Sequence, residues 1–279
     1  MTKPTLIIGK HGKTGRRVEA LLNAAGMESR GVSRSTQPAF DWERPDTWLE
    51  AMEGCDRAYV SFQPDLAIPA AQIAIKEFIR LAKESGIKHI VLMSGRGEQG
   101  AQQAEQQLMH SGLTWNVVRA SWFNQNFSEG FLIEGIQAGQ VALPAGQINE
   151  PFIDVDDIAE VAFNCLTRPE LHNQLFEITG PELLTFEKCV SMIADAIEQP
   201  IAFIPITTKD LLEGLKQQGQ PEDVLWLMNE LFTHVMDGRN SYVTQDVEKV
   251  LGRPAKRFDE YVSKTVAEGS WLHEEEVIS

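Results

Sequence analysis

The sequence of 279 residues predicts an α/β fold built on a doubly wound parallel sheet, with a small mixed α/β lobe at its C-terminal end. Three observations carry that expectation. The apolar run Leu6-Ile7-Ile8 leads into Gly9-Lys10-His11-Gly12-Lys13-Thr14-Gly15, then into a helical pattern of Val18, Leu21, Leu22 and Ala25. Strand-like and helix-like segments alternate from there to Arg119. Within them, His89-Ile-Val-Leu-Met-Ser94 is almost continuously apolar, as a parallel strand covered on both faces should be.

The elements follow in order. The first helix stops at Gly26, and Glu28–Ser33 reads as a second strand. Phe40-Asp41-Trp42 reads either as the end of a third strand or as a turn before the helical spacing of Asp46–Met52. Arg57–Phe62 is a fourth strand, closed by Gln63-Pro64. The helix from Pro69 to Glu84 has proline at its start and Gly86 just past its end, the usual punctuation. After the fifth strand and the loop Gly95–Glu98, Ala101–Ser111 is helical and Thr114–Arg119 gives a sixth strand.

Beyond Arg119 the rhythm changes. Phe123–Ile136 is apolar and aromatic, and short extended pieces follow at Val141–Gly146 and Pro151–Asp157. Asp156 or Asp157 suits the start of a helix containing Ile158, Val161, Ala162 and Leu166. Leu175–Thr179 is a strand, Phe186–Ile197 a helix and Ile201–Ile206 a strand. The chain from Asp210 onward is mostly helical and acidic, with His273-Glu-Glu-Glu near its end. A larger domain over residues 1–150 and a smaller lobe over 151–279 are expected, as one continuous body with a partly shared sheet.

Composition narrows the function. A hydrophobic content of 43% suffices for a sizeable core, and no apolar run approaches the roughly 20 residues of a membrane span. A cytoplasmic protein without a cleaved signal is expected. Cys55, Cys165 and Cys189 are odd in number and far apart, so free buried thiols are expected rather than a disulfide framework or a zinc site. A formal charge of −15 argues against nucleic acid as a partner. No metal is expected at Asp154–Asp157, whose carboxylates suit helix capping. The partner expected is a small-molecule acceptor, and a homodimer is compatible with the sequence.

Strand, glycine-rich turn and helix together form the context of a dinucleotide site. Glycine lets the backbone turn tightly and approach a pyrophosphate without a Cβ in the way, and the helix that follows aims N–H groups at the phosphates. Ser33-Arg34-Ser35 stands where the adenosine ribose should lie, with no carboxylate before Asp41. Arginine there suits the 2′-phosphate of NADP(H) over NAD(H), or is a solvated surface residue. As the end of a strand, Phe40-Asp41-Trp42 would put Asp41 near the adenine amino group.

Taken together, the chain resembles the NmrA-like branch of atypical short-chain dehydrogenases/reductases, the set that includes ergot-alkaloid enzymes of the festuclavine dehydrogenase type. Gly9–Arg17, Phe40-Asp41-Trp42, Ser94–Glu98, Arg119–Phe127 and Pro151–Ile158 carry the likeness, as do Ile178–Glu182, Asp237–Asn240 and Val250–Pro254. The resemblance implies a Rossmann-type NAD(P)-binding fold, with Gly9, Gly12, Thr14 and Gly15 around the pyrophosphate. It also implies Arg34 near the ribose, Phe62 and Gln63 close to the cofactor and Ser94 near the nicotinamide. One departure stands out. The family commonly has Ala-Thr where this chain has Lys10-His11, so Lys10, His11 and Lys13 either strengthen anion binding or are solvated.

Typical short-chain dehydrogenases use a Tyr-x-x-x-Lys pair as proton donor. Here the three tyrosines, Tyr59, Tyr242 and Tyr261, are followed four positions on by Gln63, Asp246 and Thr265, and Gly95–Ser111 holds neither tyrosine nor lysine. Two readings follow. The chain is a reductase whose acceptor needs no tyrosine acid, such as an iminium ion, a quinone or an enone; or it is a non-catalytic redox sensor that binds the dinucleotide and a protein partner. For the reductase, Ser94 is the catalytic candidate. Arg96, Asn124 and Asn126 are polar substrate contacts, and Arg96 and Glu98 could instead pair with each other. Trp122 and Phe123, with Trp115, Phe127 and Phe131, offer flat apolar surface for a planar acceptor or belong to the core.

Overall fold

A computed structural model describes residues 3–144 and 146–271; His273-Glu-Glu-Glu lies outside the described residues. In chain order the first elements are β1 (Thr5–Ile8), α1 (Gly15–Ala24), β2 (Ser29–Val32), α2 (Trp48–Met52), β3 (Arg57–Val60), α3 (Pro69–Ser85), β4 (His89–Gly95), α4 (Gln99–Met109) and β5 (Thr114–Ala120). They continue as α5 (Ile133–Gln137), β6 (Gln140–Leu143), α6 (Val155–Thr167), β7 (Gln174–Ile178), α7 (Phe186–Ile197) and β8 (Ala202–Pro205). Last come α8 (Thr208–Gln217), α9 (Glu222–Glu230), α10 (Asp246–Leu251) and α11 (Phe258–Ala267). None of the described helices is long and apolar enough to cross a membrane.

A six-stranded sheet runs in the order β2-β1-β3-β4-β5-β7, all neighbours parallel, and β6 and β8 form a separate parallel pair. This is the parallel α/β architecture that the alternation of segments predicts. Leu6–Ile8 in β1 and Ile90–Met93 in β4 are buried along their length, so both faces of the sheet are covered. Such a side chain contributes roughly 1.5–3 kcal/mol when fully buried. Helix α3 buries a stripe of Ala71, Ile75, Phe78, Ile79 and Ala82, and Gly86 ends it at φ +91°. The strand order reverses between β1 and β3, and ligands of such sheets bind beyond the strand carboxyl ends at that reversal.

Two segments are placed by long-range contacts. Phe40-Asp41-Trp42 is not a strand: Asp41 makes one isolated antiparallel bridge to Arg44. The cause is aromatic packing. The Phe40 ring lies 4.9 Å from Trp42, 5.6 Å from Trp48 and 6.1 Å from Phe78, which folds the segment onto α2 and α3. The sixth strand of the sheet is β7, paired to β5 through Val117↔Leu175 and Val118↔Phe176.

The chain packs as two compact units. The first comprises Met1–Ala120, Asp156–Ile178 and Asp246–Arg253; the second comprises Ser121–Val155, Thr179–Gln245 and Pro254–Ser279. A single cut at residue 150 does not follow this division, because β7 completes the sheet of the first unit. The second unit has its own aromatic core. Phe152 lies 5.7 Å from Phe127 and 5.0 Å from Phe186, and Phe127 lies 5.5 Å from Phe258.

At the amino end of β4, buried His89 stacks on His172 with ring centroids 4.1 Å apart, and its Nε2 lies 3.1 Å from the Cys165 carbonyl oxygen. Burial above all, then the neighbouring His172, pushes His89 from 6.5 down to about 4. Between those values the unfolded chain binds the proton that the folded chain refuses, so stability is intact above the upper value and falls with pH below it. The loss attributable to His89 approaches about 3 kcal/mol when complete. Urea unfolding of wild type and His89→Gln across that window should show a shallower pH slope in the variant.

Candidate functional site

The first unit builds a tight glycine turn from backbone. After β1 the chain turns at Gly9, whose φ of +81° is a left-handed conformation that glycine adopts without steric cost. Gly12 N–H donates to the Gly9 carbonyl at 2.8 Å and closes the turn. A Cβ on Gly15 would stand 2.2 Å from that same oxygen, so α1 can begin here only with glycine. The helix therefore starts against the turn, with its positive dipole end beside it. This cradle fits a dinucleotide pyrophosphate.

Side chains pin the cradle from behind. Arg17 donates from Nε to Asp156 at 2.7 Å and from Nη1 to the Lys13 carbonyl at 2.9 Å. Thr14 is buried, with the hydroxyl of fully buried Tyr59 beneath it, and burial pushes that phenol above its usual range. Lys10 lies 3.9 Å from Glu19, Lys13 is half-buried, and His11 and Arg16 are exposed.

Around the cradle lie the other cofactor candidates. Arg34 is exposed just after β2, in a loop tied down by Phe40 N–H donating to the Ser33 carbonyl at 2.9 Å. A carboxylate oxygen of Asp41 accepts from Glu43 N–H at 3.1 Å, so this side chain serves its own turn. Phe62 is buried after β3 with its ring 4.6 Å from Trp42, and Gln63 beside it is exposed.

The carboxyl ends of β4 and β5 carry a buried network of polar and charged side chains. Ser94 is buried, and its Oγ donates to Glu105 at 2.6 Å. Glu105, fully buried on α4, accepts from Arg119 Nε at 2.9 Å and is also bonded by its Nη2. Arg119 reaches Glu177 at 3.2 Å, and Glu177 accepts from Arg96 Nε at 2.9 Å. In this arrangement the Ser94 hydroxyl is engaged with a buried carboxylate. Arg96 is a buried ion-pair partner of Glu177. Glu98 hydrogen-bonds Asp65, whose carboxyl burial pushes up.

The aspartate cluster is also paired. Asp156 meets Arg17, Asp157 meets Arg253 at 2.8 Å and Asp154 lies 4.0 Å from Lys256. No cluster that could hold a metal is present among the described residues.

In the second unit, the strand-like bridge Phe123↔Ile153 positions the other candidates. Ile153 N–H donates to the Trp122 carbonyl at 2.9 Å and Asn124 N–H to the Ile153 carbonyl at 2.8 Å. Trp122 and Phe123 remain partly exposed, whereas Phe127 is wholly core. The Asn124 side chain is fully buried, and neither of its amide atoms finds a partner among the described residues. Such a group costs about 1–3 kcal/mol, and its presence calls for a ligand or a function.

Residues 9–169 match the family described as NAD(P)H-binding, and the chain belongs to that family. It is 28% identical over 289 residues to the NAD(P)H azoreductase of Xenophilus azovorans, covering 94% of this chain and 98% of that protein. It is 29% identical over 282 residues to the agroclavine dehydrogenase of Claviceps fusiformis, covering 92% and 96%. In fold it is similar to an NADPH-dependent quinone oxidoreductase of Escherichia coli, with a TM-score of 0.78, 16% identity and coverage of 94% and 99%. Within its family the chain is an NmrA-like oxidoreductase of the atypical short-chain type.

Proposed function

We propose that the chain is an NADPH-dependent reductase that transfers hydride to a small planar electrophile, an iminium ion, a quinone or an enone, without a Tyr–Lys acid pair. Helix α4 carries this reading. It contains neither tyrosine nor lysine, and its inward polar residue Glu105 is consumed by Ser94 and Arg119. Burial pushes both Tyr59 and Tyr261 up, which disfavours either as a substitute for the Tyr–Lys pair.

In this reading Gly9, Gly12, Thr14 and Gly15 hold the pyrophosphate, with Lys10, His11 and Lys13 adding positive charge beside it. Arg34 takes the 2′-phosphate, and Phe62, Gln63 and the Asp41 turn flank the adenosine. Trp122, Phe123 and Asn124 are the acceptor contacts. The bound dinucleotide supplies a hydride from its nicotinamide ring; the chain aligns the partners and excludes water. Hydride transfer alone neutralises an iminium carbon, forming the C–H bond with no proton required. A quinone takes up the hydride and then a proton from water, leaving a hydroquinone; an enone accepts hydride at its β-carbon, and water protonates the enolate.

The cofactor preference rests on Arg34. Its side chain is exposed, and no hydrogen bond or ion pair engages it among the described residues. Wild type should bind NADPH about 10–100-fold more tightly than NADH, the strength of a charge-assisted phosphate contact. Arg34→Ala should remove most of that ratio by weakening NADPH alone. Equal wild-type affinities in a fluorescence titration would reject the preference.

A further inference from the structure

In the second unit, α9 does not end in an ordinary turn. Leu231–Val235 forms a π-helical turn, in which Met236 N–H donates to the Leu231 carbonyl at 2.9 Å. A π turn holds one residue more than an α turn, and such turns occur often at functional sites. The sequence explains it. Leu227-Met228, Leu231-Phe232 and Val235-Met236 are apolar pairs repeating every four residues. An α-helix turns every 3.6 residues, so this repeat would drift by about 40° per turn. One wider turn, of about 4.4 residues, cancels the drift. Phe232, Val235 and Met236 are all buried as a result.

The π turn delivers an aromatic ring to a candidate acceptor contact. Phe232 lies 5.6 Å from the Trp122 ring at 46°, and 6.3 Å from Phe186. Phe186 meets the same indole edge-on, at 5.2 Å and 87°. Two buried rings therefore fix the tilt of Trp122, which stays partly exposed and stands two residues before the unpartnered amide of Asn124. Planar ligands stack offset on aromatic faces, so the tilt of the indole sets what can lie flat on it.

We infer that Phe232, carried on the π turn, determines the size of planar acceptor that the protein takes, by setting the tilt of Trp122. The inference rests on Trp122 being an acceptor contact in the proposed reductase. A smaller side chain at 232 lets the indole lie back and admits a wider acceptor; a larger one crowds it forward.

The test compares kcat/KM for 1,4-benzoquinone, a single ring, with that for anthraquinone-2-sulfonate, three fused rings, under saturating NADPH. The ratio of large to small acceptor should rise roughly tenfold in Phe232→Leu and fall roughly tenfold in Phe232→Trp, a size usual for pocket-volume changes. NADPH affinity should stay within about twofold in both. Should Phe232→Leu fail to melt cooperatively, Phe232→Met carries the same prediction. An unchanged ratio, or an equal loss with both quinones, in folded variants overturns the inference and leaves the reductase reading standing. Failure of wild type to reduce either quinone, or any other acceptor, would remove the reductase reading and this inference with it.

Discussion

Gly15→Ala is expected to weaken NADPH binding at least about 100-fold, roughly 2.7 kcal/mol, while the chain remains folded. The new methyl carbon would meet the Gly9 oxygen at 2.2 Å and the Gly9 carbonyl carbon at 2.8 Å. Both are backbone atoms of the turn, so no side chain can swing aside. Either α1 starts later or the turn opens, and each change removes N–H groups from the place where a pyrophosphate would sit. Gly26→Ala is the control. Gly26 has positive φ, at +69°, but nothing lies within 4 Å of the added carbon. That variant should lose about 1 kcal/mol of stability and keep its affinity for NADPH. Calorimetric titration of the two variants separates strain at a helix end from loss of the cradle. Equal affinities for Gly15→Ala and wild type would show that the cofactor does not use this turn.

Glu105→Ala should destabilise the protein by about 3–5 kcal/mol, the usual cost of stranding one partner of a buried ion pair. Removing this carboxylate takes from Arg119 its closest ion-pair partner and leaves it with Glu177, which Arg96 also engages. Glu105→Gln keeps the shape and the Ser94 hydrogen bond and should cost less. Ser94→Ala deletes one bond to a charged acceptor and should cost about 1.5–3 kcal/mol. With Ser94 in this structural role, kcat in Ser94→Ala stays within about threefold of wild type. A proton-donating serine would instead lower kcat by about 100-fold or more. Urea unfolding and turnover of the same samples distinguish these outcomes.

Much of this was legible in the residues, and the gaps have physical causes. The glycine turn, the buried run of β4 and the punctuation of α3 follow from local rules: left-handed glycine, two-faced burial, proline and glycine at helix ends. Phe40–Trp42 followed a longer-range rule, since its fate depends on rings at Trp48 and Phe78 that no local spacing reveals. The same holds for β7, which joins the sheet after a long detour of chain. The partners of Ser94 and Arg96 were not legible, because a strand end looks open in sequence whereas both side chains reach carboxylates farther along the chain. One signal for the network was available. Ala101, Ala104 and Leu108 line the buried face of α4, and Glu105 stands on that same face, where an unpaired carboxylate is too costly to leave. The π turn left a trace as well, in apolar pairs that repeat too slowly for an α-helix.

The central claim is hydride transfer that needs no protein acid. The most direct test is single-turnover stopped-flow oxidation of enzyme-bound NADPH by an iminium compound, followed from about pH 6 to about pH 9. The account predicts rapid loss of reduced cofactor on mixing, with a rate that does not change across that range. A rate that follows the titration of a single group on the enzyme, or no oxidation by the iminium compound or by any quinone or enone, would contradict it.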